Sequence, residues 1–220
     1  NPQLMKSEGM KDRNRLFRIS YISSKFSVLA LAFFAIPLLI EMEEVLNLWL
    51  ENDIPPYTMR LAQCIILLSL VTQYSTGIMS AIQATGKIRN YQITMGTILL
   101  TNVPIAYYIL KLGYPVYYTT MAFVAMEIMS LCVRLYWANR LIGMKTAEYM
   151  KNVVFPTVII ISISTIFALI PHFLMEMTFI RLFIVCVIYC SFYAILMFRY
   201  AFDENQRKQI ISKLKIIIKR

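Results

Sequence analysis

Val153-Val-Phe-Pro-Thr-Val-Ile-Ile-Ile-Ser-Ile-Ser-Thr-Ile-Phe-Ala-Leu-Ile170 carries no charged residue, and its only polar side chains are small hydroxyls. An α-helix rises about 1.5 Å per residue and the hydrocarbon core of a bilayer is about 30 Å thick, so a run of about this length crosses it. Comparable stretches occupy Phe26–Ile40, Leu61–Ala84, Tyr91–Leu110, Val116–Val133 and Leu182–Phe198. Six such runs in 220 residues predict an all-α polytopic membrane bundle. They define a transmembrane domain over 26–202, preceded by a cytoplasmic amphipathic segment (1–25) and followed by a basic amphipathic tail (203–220).

The composition agrees. Hydrophobic residues make up 59% of the chain and charged residues only 15%, where a soluble domain carries about 25%. The formal net charge of +10 would suit nucleic acid, but the placement of the charges excludes that reading. Basic residues crowd one set of flanks: the N-terminal segment from Lys6 to Lys25, Lys87 and Arg89, then Arg140, Lys145 and Lys151, and the tail from Arg207 to Arg220. The opposite flanks hold Arg60, Lys111 and Arg181 and collect Glu41, Glu43, Glu44, Glu51, Asp53 and Glu176. Cytoplasmic loops are enriched in Lys and Arg, which predicts both ends of this chain on the cytoplasmic side.

No Walker, HExxH or DxD motif is present, and no catalytic constellation, cofactor or metal is expected. The four cysteines (Cys64, Cys132, Cys186, Cys190) read as small apolar residues, and His172 as an isolated loop histidine. Polar residues inside the spans are more informative, because hydrocarbon tolerates them only where they face protein or water. Gln73, Thr76 and Gln83 share a helical face on the second span, where Gly77 and Ala81 show small-xxx-small spacing. Either helix packing or a polar cavity lining would use them. Asn102 on the third span is a weaker candidate for the same role. On the fourth span Glu127 and Arg134 share a face but stand about 10 Å apart along the axis, which predicts no direct pair. Arg134 is expected to snorkel to the cytoplasmic surface, and Glu127 to be the deeper proton, ion or substrate contact. Pro37 and Pro104 are expected to kink their spans, and Pro156 to lie in the first turn of its own.

Several short stretches in this order resemble a known family. They are Trp49-Leu50, Pro56-Tyr57-Thr58, Ala81-Ile82-Gln83-Ala84-Thr85-Gly86-Lys87 and Asn90-Tyr91-Gln92, followed by Pro104, Tyr107, the Leu110-Lys111-Leu112-Gly113 turn and Leu141-Ile142-Gly143. Together they look like the polysaccharide flippases of O-antigen and related repeat units, within the multidrug/oligosaccharidyl-lipid/polysaccharide exporter superfamily. The resemblance implies a MATE-like, two-lobed transporter of about twelve to fourteen helices, of which these six would be helices nine to fourteen. It implies alternating access in a bacterial inner membrane. The expected partners are an undecaprenyl-diphosphate-linked oligosaccharide, membrane lipid and the N-terminal lobe of the same protein. Lys87, Arg89 and Arg134 would then contact the diphosphate, and Gln73, Gln83 and Glu127 the polar substrate path. Of the tenth- and twelfth-helix positions that hold acids in cation-coupled relatives, Glu127 alone keeps one here. The alternative is a membrane enzyme of surface-polysaccharide assembly, a polymerase or acyltransferase.

Overall fold

The computed structural model describes residues 12–51 and 53–201; residues 1–11 of the expected N-terminal segment and the tail at 203–220 lie outside the described residues. Every regular element among the described residues is helical. Helix α1 (Arg13–Ile40) begins at Asp12, whose carboxylate accepts the Arg15 N–H at 3.1 Å and caps the first turn. It is one unbroken helix, where the sequence predicts a short span preceded by a separate interfacial segment. Its buried residues explain the continuity: Leu16, Ser20, Ser24 and Val28 recur every fourth position and form one stripe through the basic region. Pro37 sits inside the helix without ending it, and the helix closes with the Glu41 N–H on the Pro37 carbonyl.

Helix α2 (Met42–Trp49) is short, with Glu41 buried before it and Trp49 exposed. The predicted second span is two helices, α3 (Thr58–Tyr74) and α4 (Thr76–Ala84), bent by 41° at Ser75. That break overturns the expectation that Gln73, Thr76 and Gln83 lie on one continuous face. Gly86, at φ 70°, turns the chain into α5 (Arg89–Lys111), through which Pro104 passes without interrupting the helix. Gly113 (φ 80°) makes the next turn.

Helix α6 (Tyr117–Ile142) continues well past Val133, so most of the predicted basic loop after the fourth span is helix, ended by Gly143 at φ 76°. Helix α7 (Thr146–Leu174) contains a π-turn at Met150–Val154, in which the Phe155 N–H reaches the Met150 carbonyl. Pro156 therefore follows a widened turn rather than opening a helix. The wider turn displaces the carbonyl that its ring would otherwise strike. His172 is in the last turn of α7, not in a loop. Helix α8 (Phe179–Ala201) ends in a second π-turn. The cysteines are free thiols, and Cys132 is exposed rather than buried.

Among the described residues five helices are long and apolar enough to cross a membrane, and the bent α3–α4 pair, taken as one span, makes a sixth. Their outward faces are apolar: Leu99, Leu100 and Val103 of α5 and Phe183 and Ile195 of α8 are all largely exposed. A water-soluble surface would not carry such continuous patches, and the chain is a multi-pass helical membrane protein.

The chain divides into two compact units, the first ending at Phe155 and the second starting at Pro156. In the first, α1 packs against α3, α4 and the π-turn of α7, while α6 packs against α3, α4 and α5. Its buried cluster joins Leu16 of α1, Ile78 and Ile82 of α4, Leu135 and Ala138 of α6, and Tyr149 and Val153 of α7. In the second unit Phe167 and Phe192 stack with ring centroids 4.0 Å apart.

Between membrane helices, close approach and dispersion take over from the hydrophobic effect, so small residues decide where backbones meet. Gly77 is the tightest such point: a Cβ there would stand 2.0 Å from the Ser20 carbonyl oxygen, which is backbone and cannot turn aside. Gly96 on α5 has open space in the same direction. Gly77→Ala should therefore lower stability by about 1–3 kcal/mol through overpacking, while Gly96→Ala should gain about 0.5–1 kcal/mol from helix propensity. Thermal unfolding of the purified protein in one detergent would show the two alanines moving the midpoint in opposite directions. Equal responses would disprove the close α1–α4 contact.

Candidate functional site

Seven residues of α-helix are nearly two full turns, so Glu127 and Arg134 project from the same side of α6. They also form the direct pair that the axial distance seemed to forbid, with Arg134 Nη1 2.5 Å from Glu127 Oε1. Helical side chains lean toward the N-terminus, so the long arginine reaches back along the helix toward the carboxylate. Arg134 does not snorkel to the surface: it is 9% exposed. Its Nη1 also donates to Ser75 Oγ at 2.8 Å, and the buried Tyr91 hydroxyl lies beside the same guanidinium.

Ser75 is the residue at which α3 gives way to α4. A bend there removes backbone hydrogen bonds that hydrocarbon cannot replace, and each unsatisfied group would cost several kcal/mol. Side chains from other helices take over. Ser24 Oγ of α1 accepts the Gly77 N–H at 2.9 Å. The Tyr149 hydroxyl of α7 donates to the Tyr74 carbonyl. The Ser75 N–H tightens to the Thr72 carbonyl at 2.9 Å, and Thr76 Oγ1 donates to Gln73 Oε1 at 3.3 Å. The bend is thus held by α1, α6 and α7 together.

Beside it, α3, α5 and α6 line a half-open cavity of about 660 Å³. Thr72 lines it from α3, Gln92, Gly96 and Asn102 from α5, and Phe123, Glu127, Ser130 and Arg134 from α6, with the rest of the wall apolar. Among the described residues Glu127 and Arg134 are the only charged groups in that wall. Two polar atoms here are buried without a protein partner, Asn102 Oδ1 and Arg134 Nε. The arrangement can bind a polar ligand within the span of the helices; nothing in it amounts to a nucleophile paired with a base.

Of the residues the sequence singles out, the structure brings Glu127 and Arg134 together in this cavity, and Asn102 lines it as well. Gln73 lies at the bend, half-buried and held by Thr76, and does not line the cavity. Gln83, Lys87 and Arg89 are exposed around the α4–α5 turn and contribute nothing to the cavity wall. Sequence reasoning did not single out Tyr91, Gln92 or Ser130 as site residues. Gln92, Gly96, Leu99 and Val103 recur at helical spacing on α5, a signal that could have found the α5 wall.

No protein-family model, no characterised protein and no solved structure matches this chain.

Removing one member of a buried ion pair leaves the other charge uncompensated and costs about 3–5 kcal/mol, whereas replacing both by apolar residues is close to neutral. Glu127→Leu should therefore destabilise the protein strongly, and Glu127→Leu combined with Arg134→Leu should recover most of the loss. Denaturant unfolding of the two single variants and the double variant would reveal the coupling. Additive effects would show that the pair does not exist.

Proposed function

We propose that this chain is the C-terminal portion of a transporter that moves a lipid-linked oligosaccharide across a bacterial inner membrane by alternating access. The observation that carries the reading is the cavity between α3, α5 and α6, with a buried ion pair in its wall and a broken helix at its edge. Ionisable residues inside a membrane are costly and are kept where they serve a path or a switch. Discontinuous helices at membrane depth are tolerated where they line such cavities, and transporters use them at their binding sites. The order of short motifs from Trp49 to Gly143 adds the family resemblance, and with it the undecaprenyl-diphosphate carrier.

In this reading the exposed Lys87 and Arg89 stand at the cytoplasmic headgroup level and attract the diphosphate, with Gln83 beside them in sequence. Glu127 and Arg134 belong to the inner path. Rocking about a central site needs a second lobe, which the N-terminal part of the same protein would supply. No bond is made or broken, so the protein is not an enzyme.

Expression of the complete gene should restore surface polysaccharide in a strain lacking its flippase, and Gly96→Phe, which fills the cavity, should abolish the rescue at unchanged protein level. Normal periplasmic access of the lipid-linked precursor in the absence of the gene would refute the reading. The proposed orientation has a separate check. With the native cysteines replaced, Gly113→Cys should react with a membrane-impermeant maleimide in intact spheroplasts and Lys87→Cys only after lysis; the reverse pattern would invert the topology.

A further inference from the structure

A second cavity, of about 510 Å³, opens at the corner where α6 gives way to α7. Cys132, Leu135, Tyr136 and Asn139 line it from α6, and Thr146 and Met150 from α7. All six belong to the first unit, and none lines the cavity around Glu127. Along α6 the wall changes character within about two turns: Cys132 and Leu135 are apolar, Tyr136 is amphipathic and Asn139 is polar. Tyr136 and its neighbour Trp137 are the residue types that collect at the boundary between hydrocarbon and headgroups. Cys132, Tyr136, Asn139 and Thr146 are exposed, so the cavity is open to the surrounding bilayer.

Cations gather at its polar end. Arg140 Nη1 donates to the Tyr136 hydroxyl at 3.2 Å, and its guanidinium lies 5.7 Å from the centre of the Trp137 ring. The bond to Tyr136 uses one of five guanidinium N–H donors, and the two aromatic residues hold the group beside the wall. Lys145 and Lys151 are exposed and adjoin the lining residues Thr146 and Met150 in sequence. Arg13 of α1 donates to the Ile142 carbonyl at 3.5 Å, which brings a fourth cation to the end of α6. The acids adjoining these cations are Asp12, which caps α1, and Glu148, whose pair with Lys145 at 3.5 Å is exposed and therefore weak. Charge at this corner favours an anion, and the rest of the wall favours hydrocarbon. A free phosphate would satisfy only the first, and a neutral lipid only the second. We propose that the α6–α7 corner binds an anionic phospholipid, with the phosphate at Arg140 and Lys145 and one acyl chain against Cys132, Leu135 and Met150. Basic clefts between membrane helices hold acidic headgroups in this way. The site is separate from the proposed transport path and needs none of it.

The test uses this chain with Trp49→Phe, which leaves Trp137 as its only tryptophan. It is placed in phosphatidylcholine vesicles containing either brominated phosphatidylglycerol or brominated phosphatidylcholine. Bromine quenches tryptophan only at short range, and the Tyr136 ring of the cavity wall lies 6.0 Å from that of Trp137. At equal mole fraction the anionic lipid should be preferred about fivefold or more. Arg140→Gln should lower that preference about fivefold, the effect of one basic residue at an anionic headgroup. Cys132→Phe keeps every cation but fills the apolar end, and should remove most of the preference. Arg18→Gln, an exposed basic residue of the same flank that lines no part of the cavity, should leave it unchanged. Unfolding midpoints show which variants are folded, and either Arg140→Gln or Cys132→Phe carries the test alone. Equal quenching by the two lipids, a preference indifferent to both cavity variants, or an equal fall with Arg18→Gln would overturn the site. So would loss of the preference in millimolar inorganic phosphate but not in sodium chloride of the same ionic strength, the behaviour of a free-phosphate site.

Discussion

A helix cannot bend inside a bilayer unless something accepts and donates in place of its broken ladder, and this requirement organises the first unit of the chain. The break at Ser75 is answered by Ser24 from α1, Arg134 from α6 and Tyr149 from α7. Ser24 and Tyr149 take up backbone groups of Gly77 and Tyr74, and Arg134 the Ser75 hydroxyl, so three helices are anchored within four residues. The close approach of Gly77 to Ser20 follows from it, because the Ser24 hydroxyl can reach the Gly77 N–H only if the two helices nearly touch. The bend is therefore the point through which three long-range contacts are made consistent.

The ion pair belongs to the same arrangement. Arg134 spends one nitrogen on both Glu127 and Ser75, so it ties the charge balance of the cavity to the geometry of the bend. A buried charge pair is seldom a source of net stability compared with an apolar core. Its presence here makes better sense as a device that fixes orientation: the guanidinium is clamped by Glu127 and Ser75 in the wall of the cavity. Any movement that altered the bend would shift Arg134, and with it the polar wall.

Much of the architecture was legible because hydropathy needs only composition. The number of spans follows from apolar run length, and the turn at Gly113 from the freedom of glycine at positive φ. What was not legible depended on partners distant in sequence. Nothing local to Tyr74-Ser75-Thr76 marks a break, since the groups that stabilise it lie on three other helices. The N-terminal half of α1 was hidden by Arg18 and Lys25, which lower hydropathy without interrupting the buried stripe from Leu16 to Val28. The Glu127–Arg134 pair was missed by measuring the rise along the axis and ignoring the lean of the side chains. Lys87 and Arg89 were grouped with Arg134 by charge alone, whereas the fold keeps them outside the cavity.

Helix α5 has a single buried residue, Tyr91, and its Leu99, Leu100 and Val103 belong at once to the cavity wall and to the exposed apolar surface. The site therefore has a side door rather than a mouth. A molecule with a long hydrocarbon tail could place its head in the cavity while the tail stays dissolved among the lipids. The cost of drawing such a tail into water, about 0.8 kcal/mol for each methylene, would never be incurred. Capture would then be a matter of sliding within the plane of the membrane, with a two-dimensional search replacing extraction from the bilayer.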